Sequence, residues 1–324
     1  MPVLLAPMAG ITDLPFRRLV AGFGAGLVVS EMIASGELVK SRRGTQDRAL
    51  TDGQGGEAVQ LAGRDPALMA EAARMAESMG ARIIDINMGC PAKKVTGGLS
   101  GSALMRDPDL ALRLIEAVVG AVDVPVTLKT RLGWDDDCLN AASLARRARD
   151  AGVAMVTIHG RTRCQFYKGR ADWAAIRSVV DALDIPVVAN GDVTCPATAR
   201  AALAQSGAAA VMIGRGAQGA PWVPAAVAAA LYGTPAPVVP AGAALVEFVA
   251  AHHDAMLSFY GRDLGLRVAR KHLGWYMDRA GTCAARRREV LTAQDPAAVR
   301  ALLSGALAMD QAPLEPVRDD RCAA

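Results

Sequence analysis

The chain has 324 residues, 52% of them hydrophobic and 21% charged, which is apolar material enough for a large core and excludes a disordered chain. Its formal net charge of +4 admits an anionic partner but falls short of a protein that grips nucleic acid by charge alone. Cys90, Cys138, Cys164, Cys195, Cys283 and Cys322 follow no paired spacing, and no zinc-type Cys/His pattern occurs. That pattern implies no metal and a reduced, cytoplasmic setting.

The first residues meet Asp13 and Arg17 too soon for a secretory leader. Short β-branched runs then alternate with helical patterns, as in a parallel sheet. Val3 to Ala6 comes first, before a helix opened by Thr12-Asp13 with Pro15. Leu27 to Glu31 and Ala58 to Leu61 follow, then a helix start at Asp65-Pro66. Ile83 to Asn87 precedes the start at Asp107-Pro108, and Val126 to Thr130, Met155 to His159 and Val187 to Asn190 lead to Cys195-Pro196. Val211 to Ile213 is the eighth run. Eight such units predict an α/β fold, a (β/α)8 TIM barrel, over residues 1–235. A doubly wound open sheet is the alternative, but no GxGxxG follows the first strand.

Tyr232 to Pro240 reads as a linker, and the stretch from Pro235 to Ala251 is too broken by prolines and Glu247 to span a membrane. Residues 236–310 carry helical periodicity without a strand, predicting a small all-α domain, and 311–324 reads as a flexible tail.

Barrel active sites lie at the carboxyl ends of strands and in the loops that follow. Here those places hold Pro7-Met8-Ala9-Gly10, Gln60, Asn87-Met-Gly-Cys90-Pro, Lys129 with Arg131, His159, Asn190-Gly191-Asp192 and Gly214-Arg215. The Gly214-Arg215 pair sits where barrels often bind phosphate, although a glycine turn beside a solvated arginine reads equally well.

These same elements, with Ser30-Glu31-Met32, Asp85-Ile-Asn87-Met-Gly-Cys90-Pro-Ala-Lys-Lys94, Ile158-His-Gly-Arg-Thr162 and Ala269-Arg-Lys-His-Leu-Gly-Trp-Tyr276, resemble the tRNA-dihydrouridine synthases, in their bacterial B-type form. The chain departs in starting directly on its first strand. The resemblance implies an FMN at the barrel mouth, reduced by NADPH, and a tRNA uridine reduced at its 5,6 double bond, with hydride from flavin N5 to C6 and a proton from Cys90 to C5. It implies FMN contacts from Pro7, Met8, Ala9, Gln60, Lys129, His159, Asn190, Gly191, Asp192, Gly214 and Arg215. No membrane and no obligate protein partner is implied.

The residue types suit that chemistry. A thiol is mostly protonated at neutral pH and can donate to C5, whereas the bland reading of Cys90 is an inert filler. Lys129 can offset charge on the reduced flavin, against the bland reading of a lysine reaching to solvent. Thr96 to Ser102 is glycine-rich and reads as a mobile lid. A stacked uridine has to be swung out to reach the flavin, which calls for basic groups on the RNA backbone. Basic candidates are Lys93, Lys94, Arg131, Arg161, Arg270 and Lys271, with Lys40, Arg42, Arg43, Arg163, Lys168, Arg170, Arg267 and Arg286 to Arg288 around them, and Asn87 is a further candidate contact to the substrate. Tyr167, Trp275 and Tyr276 either stack on bases or, for the last two, fill a helical core. A flavin barrel acting on a small pyrimidine, or a catalytically silent RNA-binding barrel, are the other readings.

Overall fold

Nine parallel strands pair in a ring in the computed structural model, which describes residues 3–40, 45–51 and 56–307, the side chain of Lys94 excepted. The strands are β1 (Val3–Leu5), β2 (Leu27–Val29), β3 (Ile33–Ala34), β4 (Glu57–Ala62), β5 (Ile84–Met88), β6 (Val126–Arg131), β7 (Met155–His159), β8 (Val187–Asn190) and β9 (Ala210–Ile213). β1 lies between β2 and β9, and β2 also pairs with β4, so the sheet closes into the expected eight-stranded barrel. The extra strand, β3, is a continuation of β2. Ser30 to Met32 breaks the run, and both β2 and β3 pair with β4, at Glu57–Ala58 and Leu61–Ala62. Across the break, Ser30 Oγ takes over the ladder by accepting the Gln60 N–H at 3.0 Å.

Strand alternation sorts the side chains. Val3 and Leu5 face the surrounding helices, while Leu4, Ala6, Leu27, Val29, Ala58, Val188, Ala210 and Met212 form a separate apolar plug inside the barrel. The same parity, carried upward, turns Gln60, Asp85, Asn87, Thr127, Lys129, Arg131, His159 and Asn190 inward. The plug therefore floors a polar cup. Helices begin where the sequence signals them: Asp13, Asp65 and Asp107 accept the backbone N–H of Phe16, Leu68 and Leu110 at 2.9, 3.1 and 3.0 Å, each with proline in the first turn.

Among the described residues four helices follow the barrel: Ala243–Tyr260, Arg262–Arg279, Ala284–Thr292 and Pro296–Leu307. They pack on the barrel through rings. Phe16 stands against His252 and His272, with centroids 6.0 and 5.1 Å apart, and Phe23 and Trp222 meet Phe248, which meets Tyr276. Tyr276 is only 2% exposed and its hydroxyl lies 3.0 Å from His252 Nδ1, so it fills the helical core and is not a surface for stacking bases. Tyr260 Oη donates to Asp13 Oδ2 at 3.0 Å, tying the first of these helices to the cap of the first barrel helix. Arg42, Arg43 and the predicted tail lie outside the described residues.

Burial keeps the imidazoles of this junction neutral. It draws His252 down to about 3, with His253 adding to the effect, and holds His272 well below the ordinary histidine range, helped by His252. A histidine depressed in the folded state contributes stability that is present above its unfolded pKa of about 6.5 and is lost as pH falls, at up to about 1.4 kcal/mol per pH unit. Urea unfolding at pH 7 and pH 5.5 should therefore show His272→Phe losing about 1 kcal/mol less than the unaltered protein on acidification; equal losses would exclude the buried imidazole as the source.

Candidate active site

The polar cup opens into a cleft of about 2850 Å³ that runs from the barrel mouth down between the helices Pro196–Ser206 and Val223–Tyr232. Pro7, Met8, Ala9, Gln60, Asn87, Cys90, Lys129, Arg131, His159, Arg161, Asn190, Gly191, Asp192, Gly214 and Arg215 all line it. Of the remaining residues singled out in the sequence, Lys93 is exposed on the short helix Lys93–Thr96 beside Cys90, while Arg270 and Lys271 do not line the cleft. The Lys94 side chain lies outside the described residues.

One hydrogen-bonded chain runs across the floor of the cup. Thr127 Oγ1 and Gln60 Nε2 donate to the two oxygens of Asp85 at 2.5 and 2.6 Å. Gln60 Oε1 in turn accepts Asn87 Nδ2 at 2.8 Å, and Asn87 Oδ1 accepts the backbone N–H of Gly89 and Cys90 at 3.1 and 3.0 Å. Burial pushes the Asp85 carboxyl up to about 6 against those two donors, so at neutral pH it remains an acceptor. From the other side, the Cys90 carbonyl accepts the Ser102 N–H at 3.1 Å and its hydroxyl at 2.8 Å. The thiol-bearing residue is thus held at both its N–H and its C=O. Cys90 is free and half-buried.

The segment expected to be a lid is fastened at its C-terminal end by these bonds. Gly101 has φ +60°, and a Cβ there would meet the Cys90 carbonyl oxygen at 2.8 Å, so the chain needs glycine to come this close. Leu99, also at positive φ, is 59% exposed at the turn between the anchors.

Cations ring the opposite wall. Lys129 Nζ donates to Asn190 Oδ1 at 2.9 Å, and Asn190 Nδ2 donates to the Met212 carbonyl at 2.8 Å. Burial, with Arg131 adding, brings the lysine down to about 8. Arg131 is 1% exposed; it donates to the carbonyls of Gly89, Thr162 and Phe166 at 2.7, 2.9 and 2.8 Å and stacks under Tyr167. Arg161, also 1% exposed, makes a two-pronged contact with Asp192 at 2.6 and 3.1 Å and donates to the Lys168 and Gly169 carbonyls. Both guanidiniums are occupied by protein acceptors. Against the burial that would raise it, hydrogen bonds from Arg161 and the Ala171 N–H hold the Asp192 carboxyl below its usual range.

Asp192 also accepts Arg215 NH2 at 3.3 Å, and Tyr167 lies between Arg131 and Arg215 at 5.5 Å from each. His159 sits among Lys129, Arg131, Arg161 and Arg215, and burial together with these charges keeps its imidazole far below the usual histidine range, hence neutral. Gly191, at φ +112°, leaves space that a Cβ would take from the His159 ring and Ala171. Sequence reading passed over Asp85 and Thr127 as separate sites, although the i, i+2 spacing from Asp85 to Asn87 and from Thr127 to Lys129 marks them as inward-facing. Arg279 was missed altogether, because its partners are the backbone carbonyls of Gly216 and Gln218.

Residues 4–310 match the family model described as Dihydrouridine synthase (Dus). The chain belongs to the dihydrouridine synthase family. It is 64% identical over 313 residues to a "Probable tRNA-dihydrouridine synthase" of Rhodobacter capsulatus, covering 96% of each chain. It is 54% identical to a protein of the same description from Rhizobium leguminosarum, over 94% of this chain and 95% of the other. A "tRNA-dihydrouridine synthase B" of Vibrio cholerae is 48% identical, over 88% and 89% of the two chains. Among solved structures, histamine dehydrogenase from Rhizobium sp. 4-9 superposes with a TM-score of 0.50 at 13% identity, covering 70% of this chain and 45% of that one, a likeness of fold. Within this dihydrouridine synthase, the close approach of Gly101 to the Cys90 carbonyl is open to test. Gly101→Ala should cost about 1–3 kcal/mol in urea unfolding. It should also change the alkylation rate of Cys90, followed by peptide mass mapping, while leaving that of exposed Cys283 unaltered.

Proposed function

We propose that this enzyme reduces uridine in tRNA to 5,6-dihydrouridine, with FMN across the barrel mouth and NADPH as reductant. The observation that carries the reading is a half-buried thiol held at both of its peptide groups, lining one cleft with the buried Lys129, at the rim of an open cup. The residues present suit a flat, phosphorylated ring. Gly191 and Gly214 put no side chain at two adjacent strand ends, and Lys129, Arg161 and Arg215 outnumber the one carboxylate, Asp192, among them.

When bound, FMN supplies hydride to C6 of the uracil ring, and NADPH restores the reduced flavin. Cys90 Sγ gives its proton to C5, breaking its S–H bond as the C5–H bond forms, and regains a proton from water. Asn87 sets the height of that sulfur through the Cys90 N–H. Lys129, held by Asn190, would offset the negative charge that a reduced flavin carries. Pro7, Met8, Ala9, Gln60, His159, Gly191, Asp192, Gly214 and Arg215, which line the same cleft, would hold the cofactor, with Arg215 and the glycine strand ends suited to its phosphate. Arg131 and Arg161 act through the loop Thr162–Arg170, whose carbonyls they hold, so this loop and exposed Lys93 and Arg170 meet the RNA.

In this reading residues 1–235 form the FMN-binding catalytic barrel and residues 236–310 a helical part that carries the tRNA. No helix among the described residues is long and apolar enough to cross a membrane. A cytoplasmic site of action follows from the proposed substrate.

The purified protein should be yellow and release FMN on denaturation, and tRNA from a strain lacking it should lose dihydrouridine at mapped positions by mass spectrometry. Cys90→Ala should keep its flavin and lower dihydrouridine formation by about 10²-fold or more. An active Cys90→Ala enzyme would remove the thiol from the mechanism.

A further inference from the structure

The helix Arg262–Arg279 reaches two neighbouring loops of the cup. Lys271 Nζ donates to the Gly10 carbonyl at 2.6 Å, and Gly10 N–H donates to the Glu31 carboxylate. The peptide groups after β1 are therefore held from both sides. Two turns along the same helix, Arg279 donates to the carbonyls of Gly216 and Gln218, each at 2.9 Å, in the loop after β9. Eight residues span about 12 Å along one helix face, enough to bridge loops that rise from paired strands.

Glycine lets the helix come close to both loops. Gly10 has φ +70°, and a Cβ there would lie 2.7 Å from Lys271 Nζ, so the ammonium fills the niche that glycine leaves. Gly219 has φ +65°, and its Cβ would meet the Trp275 carbonyl of the same helix at 2.4 Å from the oxygen. Both loops line the cleft proposed above for the cofactor, one through Pro7 to Ala9 and the other through Gly214-Arg215.

We propose that this helix clamps the cofactor loops, with Lys271 and Arg279 as positioning residues, so that flavin affinity depends on the C-terminal helices. The proposal rests on the flavin reading given above and gives Lys271 a task other than the phosphate contact expected from sequence. By linkage, any RNA that shifts this helix alters flavin affinity, and flavin alters RNA affinity by the same factor.

The test is titration of FMN into flavin-stripped protein, followed by quenching of flavin fluorescence, in parallel with tRNA binding and thermal unfolding. Lys271→Met and Arg279→Met should each weaken FMN by about tenfold. Lys271→Arg should restore the affinity. Gly10→Ala, which pushes the ammonium away from the loop side, should weaken FMN as Lys271→Met does. Unaltered FMN affinity in Lys271→Met and Gly10→Ala, with weaker tRNA binding, would overturn the clamp and make Lys271 an RNA contact. A fall in FMN affinity that Lys271→Arg does not restore would also overturn it. Absence of FMN binding in the unaltered protein would overturn the flavin reading itself, and the clamp with it.

Discussion

A carboxylate shut away from water lies at the root of the cup. Asp85 keeps its place because Thr127 and Gln60 spend hydrogens on it, and that choice orients everything above. Once its Nε2 points to Asp85, Gln60 can offer only its oxygen to Asn87; Asn87 then has only its oxygen left for the Cys90 loop. Each amide is oriented by the one below it. An unpaired buried polar group costs about 1–3 kcal/mol, so the order is not easily reversed. The thiol's position is thus set three hydrogen bonds away, by a carboxylate that lies deep in the barrel.

The far wall solves a different problem, that of crowding cations without an external anion. Arg131 and Arg161 are stripped of water but satisfied by loop carbonyls and by Asp192, which ties the loop after β7 to the barrel wall. Neutral His159 lets them approach one another. Asp192 itself adopts φ +53°, a left-handed conformation open to few residue types, and its two oxygens serve Arg161, Arg215 and the Ala171 N–H together. The strain of that backbone is offset by charge-assisted bonds.

Much of this was readable from the chain. β7 and β8 run over Met155–His159 and Val187–Asn190, the limits their β-branched runs indicate, because both are bounded by turn residues. The second strand reads as continuous through Glu31, yet it breaks at Ser30, since a serine hydroxyl can replace a ladder acceptor without changing the apolar pattern. The strand-end residues were legible because barrel geometry places them at one face. The fate of Arg131 and Arg161 was not: a buried arginine held by backbone carbonyls looks in sequence like one awaiting phosphate. Gly101 was visible as flexible and turned out to be a point of close approach, a distinction that depends on a neighbour in space.

The apolar cluster around the barrel does not stop at its last helix; it runs from Val3 and Phe16 through Trp222 to Leu266, Met277 and Leu307. Barrel and appended helices share one interior, so neither half retains a finished surface when the other is gone. Without the appended helices, Phe16 of the first barrel helix and Phe23 at its end would turn bare rings to water, so the barrel alone would be a sticky, incompletely covered body.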